Sequence, residues 1–235
     1  MENNFVRTAA ILGEEAMQKL NKAHVAIFGV GGVGSYTLEA LVRSGVGNID
    51  VYDNDCVAES NINRQIIATS ENIGQKKTEA AVTRAKQINP QVNITGYDVF
   101  YLPETADQID LSKYDYIVDA VDTVAAKLEL IARGKALGIP VISVMGTGNK
   151  LDPTRLKVDD IYATKGCPLA RVMRSELRKR GIAAQKVVWS DEQPIKPNDL
   201  AELNNLGRPS PGSAVFVPAN AGLIAASEVV KDIVK

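Results

Sequence analysis

The stretch that decides the fold is His24–Ser35, HVAIFGVGGVGS. Val25–Phe28 is an apolar run of the length of a buried strand, and four glycines follow within six positions. The chain then takes on helical periodicity in SYTLEALVRSGV, which stops near Gly45 and Gly47. Gly29, Gly31 and Gly34 make a G-x-G-x-x-G pattern between a strand and a helix. Glycines there permit positive φ and let a phosphate approach the backbone with no Cβ in the way. The helix N-terminus adds unpaired N–H groups and the positive end of its dipole. Close helix–sheet packing alone would also use such glycines. The context favours a nucleotide site, because Asp53 ends the next strand, NIDVYD, where a carboxylate can accept ribose hydroxyls. The pattern by itself does not choose between NAD and ATP, and Gly32 and Ser35 lie outside it.

Working outward, EEAMQKLN (14–21) reads as a short helix feeding the first strand. Downstream, GQKKTEAAVTRAKQINP is a helix stopped before Pro90, VNITGY a strand, DYIVDAVD a buried strand, AAKLELIARGKALGIP a helix and VISVMG a strand. This alternation predicts a parallel sheet with right-handed crossovers. After Gly146 it lapses into a short strand (156–158), the basic helix PLARVMRSELRKRG and the strand QKVVWS. A polar loop (191–206), the segment GSAVFVP and a helix from about Ala219 complete the chain. The expected class is α/β, a Rossmann-like, mostly parallel sheet with helices on both faces. We read one domain over 1–235, with a nucleotide-binding core in 1–150 and a substrate and dimer elaboration in 151–235.

Composition removes several alternatives. With 27 Lys and Arg against 28 Asp and Glu, bulk charge points to no partner, so nucleic-acid affinity requires a local patch. Two cysteines, Cys56 and Cys167, cannot build a disulfide framework or a four-cysteine structural zinc site. The apolar C-terminal stretch is interrupted by Pro218, Asn220, Glu228 and Lys231, so no membrane span is expected, and the N-terminus lacks a secretory pattern. A soluble cytoplasmic protein is the expectation.

The segments after the second strand carry the discriminating chemistry. Arg64 in SNINRQ and Lys77 in GQKK have no task beside a nicotinamide but suit a triphosphate, where cations neutralise developing charge. Taken singly, either is ordinary solvated surface. Asp122 follows YIVDA at the carboxyl edge of the sheet, and a carboxylate facing a triphosphate suits Mg²⁺. Asp119, inside that strand, has equal claim to a structural role. The only histidine, His24, enters the first strand and is expected to pack there, and no proton relay for hydride transfer is evident.

GVGGVGS, DND, SNINRQ, GQKK and DAVDT, in this order and spacing over about residues 5–150, resemble the ThiF/MoeB/HesA superfamily, bacterial relatives of ubiquitin-activating enzymes. That resemblance implies adenylation of a carboxylate, with ATP consumed and pyrophosphate released. It implies that Gly29, Gly31, Gly32 and Gly34 underlie the nucleotide and that Asp53 holds the ribose. Asn61, Arg64 and Lys77 would contact the triphosphate, with Asp55 and Gln65 in the same nucleotide-binding set. Asp122 would coordinate the catalytic Mg²⁺. Arg7 in FVRTAAILGEEA resembles an arginine that enters the neighbouring subunit's site, which implies a homodimer.

CPLARVMRSELRKRGI and GRPSPGSAVFVPANAGLIAASEVVKD are similar to the branch that dehydrates threonylcarbamoyladenosine in tRNA. There the modified base's carboxylate is adenylated and its own urea group closes the ring, expelling AMP. Arg171, Arg174, Arg178, Lys179 and Arg180 oppose one carboxylate, Glu176, and the first three fall on one helical face. They are candidates for tRNA contact, against the plainer reading of a solvated basic face. The rival substrate is a ubiquitin-like sulfur carrier ending in Gly-Gly. Cys167 lies in the region of that branch's thioester acceptor, and a packed thiol is the alternative. A sulfur-transfer protein is left open as a further partner, a nucleotide sensor without turnover is the remaining reading, and Cys56 is given no role.

Overall fold

A computed structural model describes residues 3–196 and 211–235. Most of the polar loop assigned to 191–206, and the GRPS that opens the last motif, lie outside the described residues. The elements are α1 (Val6–Leu12), α2 (Glu14–Lys22), β1 (His24–Phe28), α3 (Gly34–Arg43), β2 (Asn48–Tyr52), α4 (Lys77–Ile88) and β3 (Asn93–Tyr97). They continue with β4 (Tyr116–Asp119), α5 (Val124–Leu137), β5 (Val141–Val144), β6 (Leu156–Asp160), α6 (Pro168–Lys179), β7 (Lys186–Ser190) and α7 (Phe216–Val234).

The strands form one sheet in the order β3-β2-β1-β4-β5-β7-β6. Every neighbouring pair is parallel except β6 with β7 at the edge. The order reverses direction at β1, so the crevice beyond its carboxyl end is the place where such sheets bind ligands. Both sheet faces are covered, which is why the central strands read as apolar runs and not as alternating ones. Along β1, Val25 and Ile27 enter a core shared with Leu20 of α2, Leu38 and Leu41 of α3, Ala81 of α4 and Val229 of α7. Ala26 and Phe28 point the other way, onto Leu130 and Ile131 of α5 and Met173 and Leu177 of α6.

Two departures from the sequence expectations have physical causes. The last helix begins at Phe216, not near Ala219, because Pro218 sits in the first turn, where no intrahelical N–H is lost. An additional helix, α1, occupies Val6–Leu12 with no residue fully buried, so it leaves no apolar stripe for periodicity to find. Elsewhere the 156–158 strand extends to Asp160, and Thr37 Oγ1 of α3 donates to the Gly222 carbonyl of α7 at 3.1 Å.

Candidate active site

The turn from β1 into α3 is built by close approach. Gly29 adopts φ +83°, and a Cβ on Gly34 would stand 1.8 Å from the Gly29 carbonyl oxygen, so a side chain there is excluded. Gly31 meets nothing nearer than Gln65 Nε2 at 3.8 Å, so its backbone faces open space. Ser35 is buried under this turn and its Oγ accepts the Ile66 N–H at 3.3 Å, fastening α3 to the loop that carries Asn61, Arg64 and Gln65.

A cleft of about 760 Å³ lies beyond the carboxyl ends of β1, β2, β4 and β5. It is bordered by Gly29, Gly31, Gly32, Asp53, Asp55, Asn61, Arg64, Gln65, Lys77 and Asp122. The structure therefore brings together ten positions drawn from five separate motifs; Gly34 works beneath them as a packing residue.

Asp53 is held by backbone: its Oδ2 accepts the Val30 N–H and its Oδ1 the Asp55 N–H, each at 2.9 Å. Each carboxylate oxygen keeps further lone-pair capacity for a ligand. Asn61 Oδ1 accepts the Ala58 N–H at 3.2 Å, while Arg64 Nη1 donates to the Ser60 carbonyl at 2.7 Å and to Asn63 Oδ1 at 2.9 Å. Lys77 is buried at the first turn of α4 and its Nζ donates to Asp55 Oδ2 at 2.6 Å. Gln65 is buried too, and its Oε1 has no protein partner among the described residues. An unpaired buried carbonyl costs about 1–3 kcal/mol, which a polar ligand at the cleft could offset.

Asp122 is exposed at the cleft, two residues ahead of α5, and accepts from Thr123 Oγ1 at 3.3 Å. Asp119 is not available for chemistry. It is fully buried, accepts from Lys127 Nζ at 3.0 Å and bonds Ser143 Oγ, while Lys127 also donates to the Val144 carbonyl at 2.8 Å. That buried pair ties β4 to β5 just below the residues that border the cleft.

Two parts of the cleft carry no mark in the sequence reading. Val99, Phe100 and Tyr101 form a wall beyond β3, with Tyr101 edge-on to Phe28 at 4.9 Å. Burial pushes the Tyr101 phenol above its ordinary pKa, so it stays neutral. Met145–Gly148 form another wall beyond β5. The signal that could have found both is positional, since each follows the carboxyl end of a parallel strand.

The remaining candidates lie elsewhere. Arg7 is exposed on α1 and does not border the cleft of its own chain. On the basic helix, Arg171 is exposed, but Arg174 turns inward to the Thr164 carbonyl at 3.0 Å and to Thr164 Oγ1. Arg178 lies over the Tyr162 ring at 5.0 Å, and Lys179 and Arg180 pair with Glu176. Cys167 is buried at the start of α6, Cys56 is exposed, and His24 packs edge-on against Tyr114 at 4.7 Å. Among the described residues no cluster of three His, Cys, Asp or Glu is placed to hold a metal, and no helix is long and apolar enough to cross a membrane.

A mostly parallel sheet whose switch-point turn is a glycine loop, faced by two cations and three acidic residues, defines a nucleotide-binding α/β protein. The model of the ThiF family matches residues 5–235, and the chain belongs to that family. A tRNA threonylcarbamoyladenosine dehydratase of Bacillus subtilis (strain 168) is 40% identical over 245 residues, covering 100% of this chain and 96% of the relative. The Escherichia coli tRNA N6-threonylcarbamoyladenosine dehydratase, solved in complex with ATP, superposes with a TM-score of 0.89 at 35% identity, over 98% of this chain and 93% of that one. A sulfur carrier protein adenylyltransferase of Thermus thermophilus is 35% identical over 131 residues, only 56% of this chain and 48% of the relative.

Proposed function

We propose that this chain is an ATP-dependent enzyme that adenylates the carboxylate of threonylcarbamoyladenosine in tRNA and lets the base cyclise with net loss of water. The observation that carries the reading is the extent of the likeness. Similarity to dehydratases runs through 100% of the chain, whereas the sulfur-carrier adenylyltransferase matches 56% of it.

The chemistry fits the cleft. ATP would lay its phosphates over the Gly31–Gly32 backbone and the start of α3, with its ribose on Asp53 and its base against Val99–Tyr101. A substrate carboxylate oxygen attacks the α-phosphorus in line and pyrophosphate leaves. The substrate's urea group then attacks the acyl carbon and gives up an N–H proton to solvent, the C–O bond to the phosphate breaks, and AMP departs with the carboxylate oxygen. Little covalent help is required, so positioning and charge stabilisation supply the acceleration. Arg64 and Lys77 would stabilise the phosphates; Lys77 must first exchange its 2.6 Å bond to Asp55 for a phosphate oxygen.

Asp122 is the residue suited to Mg²⁺. A single exposed carboxylate fits, because Mg²⁺ is commonly held by one or two carboxylates together with substrate phosphates and water. When bound, the ion would neutralise charge on the phosphate oxygens. Arg7, remote from its own cleft, would complete the site of a second copy in a homodimer. Arg171 and the exposed end of α6 would meet the tRNA backbone, with fewer unengaged cations than the sequence counts. The compartment proposed is the cytoplasm.

The test offers the protein ATP with either tRNA bearing open threonylcarbamoyladenosine or a carrier protein ending in Gly-Gly, and follows AMP. The expected result is stoichiometric AMP with tRNA whose modified nucleoside has lost the mass of one water. Adenylate formation on the carrier alone would replace this reading by its rival.

A further inference from the structure

One residue of the β2–α4 loop has no task in the scheme above. Asn63 is exposed beside the cleft-lining Arg64, and both ends of its side-chain amide are engaged. Its Oδ1 accepts from Arg64 Nη1 at 2.9 Å, and its Nδ2 donates to the Ser213 carbonyl at 2.9 Å, across 150 positions of sequence. Ser213 and Pro211 also border the cleft, next to the loop. Their segment is anchored a second time beyond β5, where the Asn149 N–H donates to the Gly212 carbonyl at 2.7 Å. Asn149 holds φ +58°, the one non-glycine residue with positive φ among those described, and asparagine tolerates that region best after glycine. Gly148 is packed so tightly on this segment that a Cβ would stand 2.8 Å from Pro211 Cβ. Residues 211–213 thus bridge from the end of β5 to the loop that carries Arg64, and Asn63 is the link at the loop end.

We propose that Asn63 is a positioning residue for the adenylation step, setting Arg64 and the 211–213 wall as one unit. The proposal rests on the function proposed above. An arginine guanidinium is a planar fork whose value depends on its orientation. With Nη1 shared between the Ser60 carbonyl and Asn63 Oδ1, that plane is set before nucleotide arrives. The same amide fixes how far the 211–213 wall stands from the phosphates, and so where an acyl substrate can sit. A misplacement of about 1 Å in such an arrangement can cost on the order of 10²-fold in rate.

The test is a double-mutant cycle of Asn63→Ala and Arg64→Ala, read both as the ATP dissociation constant by calorimetry and as kcat on the modified tRNA. Because Asn63 is exposed, melting temperatures should stay at the wild-type value. Expected are a roughly tenfold weaker ATP affinity for Arg64→Ala and a roughly threefold weaker one for Asn63→Ala, with the double variant no weaker than Arg64→Ala. Asn63→Ala should lower kcat by more than about tenfold, and Gly148→Ala, which displaces the wall from its other anchor, should lower it similarly. Multiplicative losses in the double variant would overturn the proposal. So would an unchanged kcat in Asn63→Ala alongside a wild-type enzyme that turns over. If the wild type leaves tRNA untouched, the functional reading fails, and the ATP-affinity cycle still decides whether Asn63 sets Arg64.

Discussion

Asp50 and Asp53 stand three residues apart on one strand and its exit, yet their surroundings are opposite. Asp50, buried within β2, is met by side chains: Lys113 Nζ at 2.8 Å, Tyr114 Oη at 2.6 Å and His24 Nε2 at 3.4 Å. Tyr114 in turn bonds Tyr52, so the cluster is closed on itself. Asp53, past the end of the strand, is held by two backbone N–H groups and faces the cleft. A carboxylate saturated by side chains spends its interactions on the fold. One oriented by backbone is pre-set and still has capacity for a ligand. Asp119, the last residue of β4, and Asp122, three residues on and past its end, repeat the contrast, one sealed against Lys127 and the other open.

Charges at the cleft and charges in the closed clusters should therefore fail differently. The largest effect should come from Asp122→Ala, with kcat/KM on modified tRNA reduced by about 10³-fold or more and the melting temperature unchanged. A variant that melts early, with full activity in its folded fraction, would place Asp122 with the structural carboxylates and break the contrast. A smaller and opposite signature is expected from Asp50→Asn, a loss of about 2 kcal/mol in urea unfolding with turnover per folded molecule preserved.

The same cluster fixes a pH dependence. Burial pushes the Asp50 carboxyl up, but the bonds from Lys113 and Tyr114 outweigh it and hold the pKa below the ordinary value. A group depressed on folding contributes its stability above the unfolded pKa and loses it as pH falls through the folded one. The gap between wild type and Asp50→Asn should therefore be widest near neutrality and close under acid. Urea midpoints across that range check it, and a gap that grows on acidification would contradict the assignment.

What could be read from the sequence was what is local or tied to strand ends. The glycine turn, Asp53, Arg64, Lys77 and Asp122 each sit at a fixed offset from an apolar run, and a parallel sheet delivers all such offsets to one edge. The pairing of Asn63 with Ser213 has no such offset, since nothing periodic joins positions 150 apart. Helix α1 escaped for want of a buried stripe. The α6 arginines illustrate a third limit: helical spacing puts Arg171, Arg174 and Arg178 on one face, but tertiary packing turns Arg174 to the Thr164 carbonyl and lays Arg178 over the Tyr162 ring.

In the proposed reaction ATP activates a carboxylate through a bond from its oxygen to the α-phosphorus. That bond leaves a trace when the threonyl carboxylate of the modified tRNA is labelled with heavy oxygen and the label is followed through one turnover. One heavy oxygen is expected in the AMP released and none in pyrophosphate. Label appearing in inorganic phosphate with ADP as the nucleotide product, or unlabelled AMP accompanying cyclised base, would contradict it.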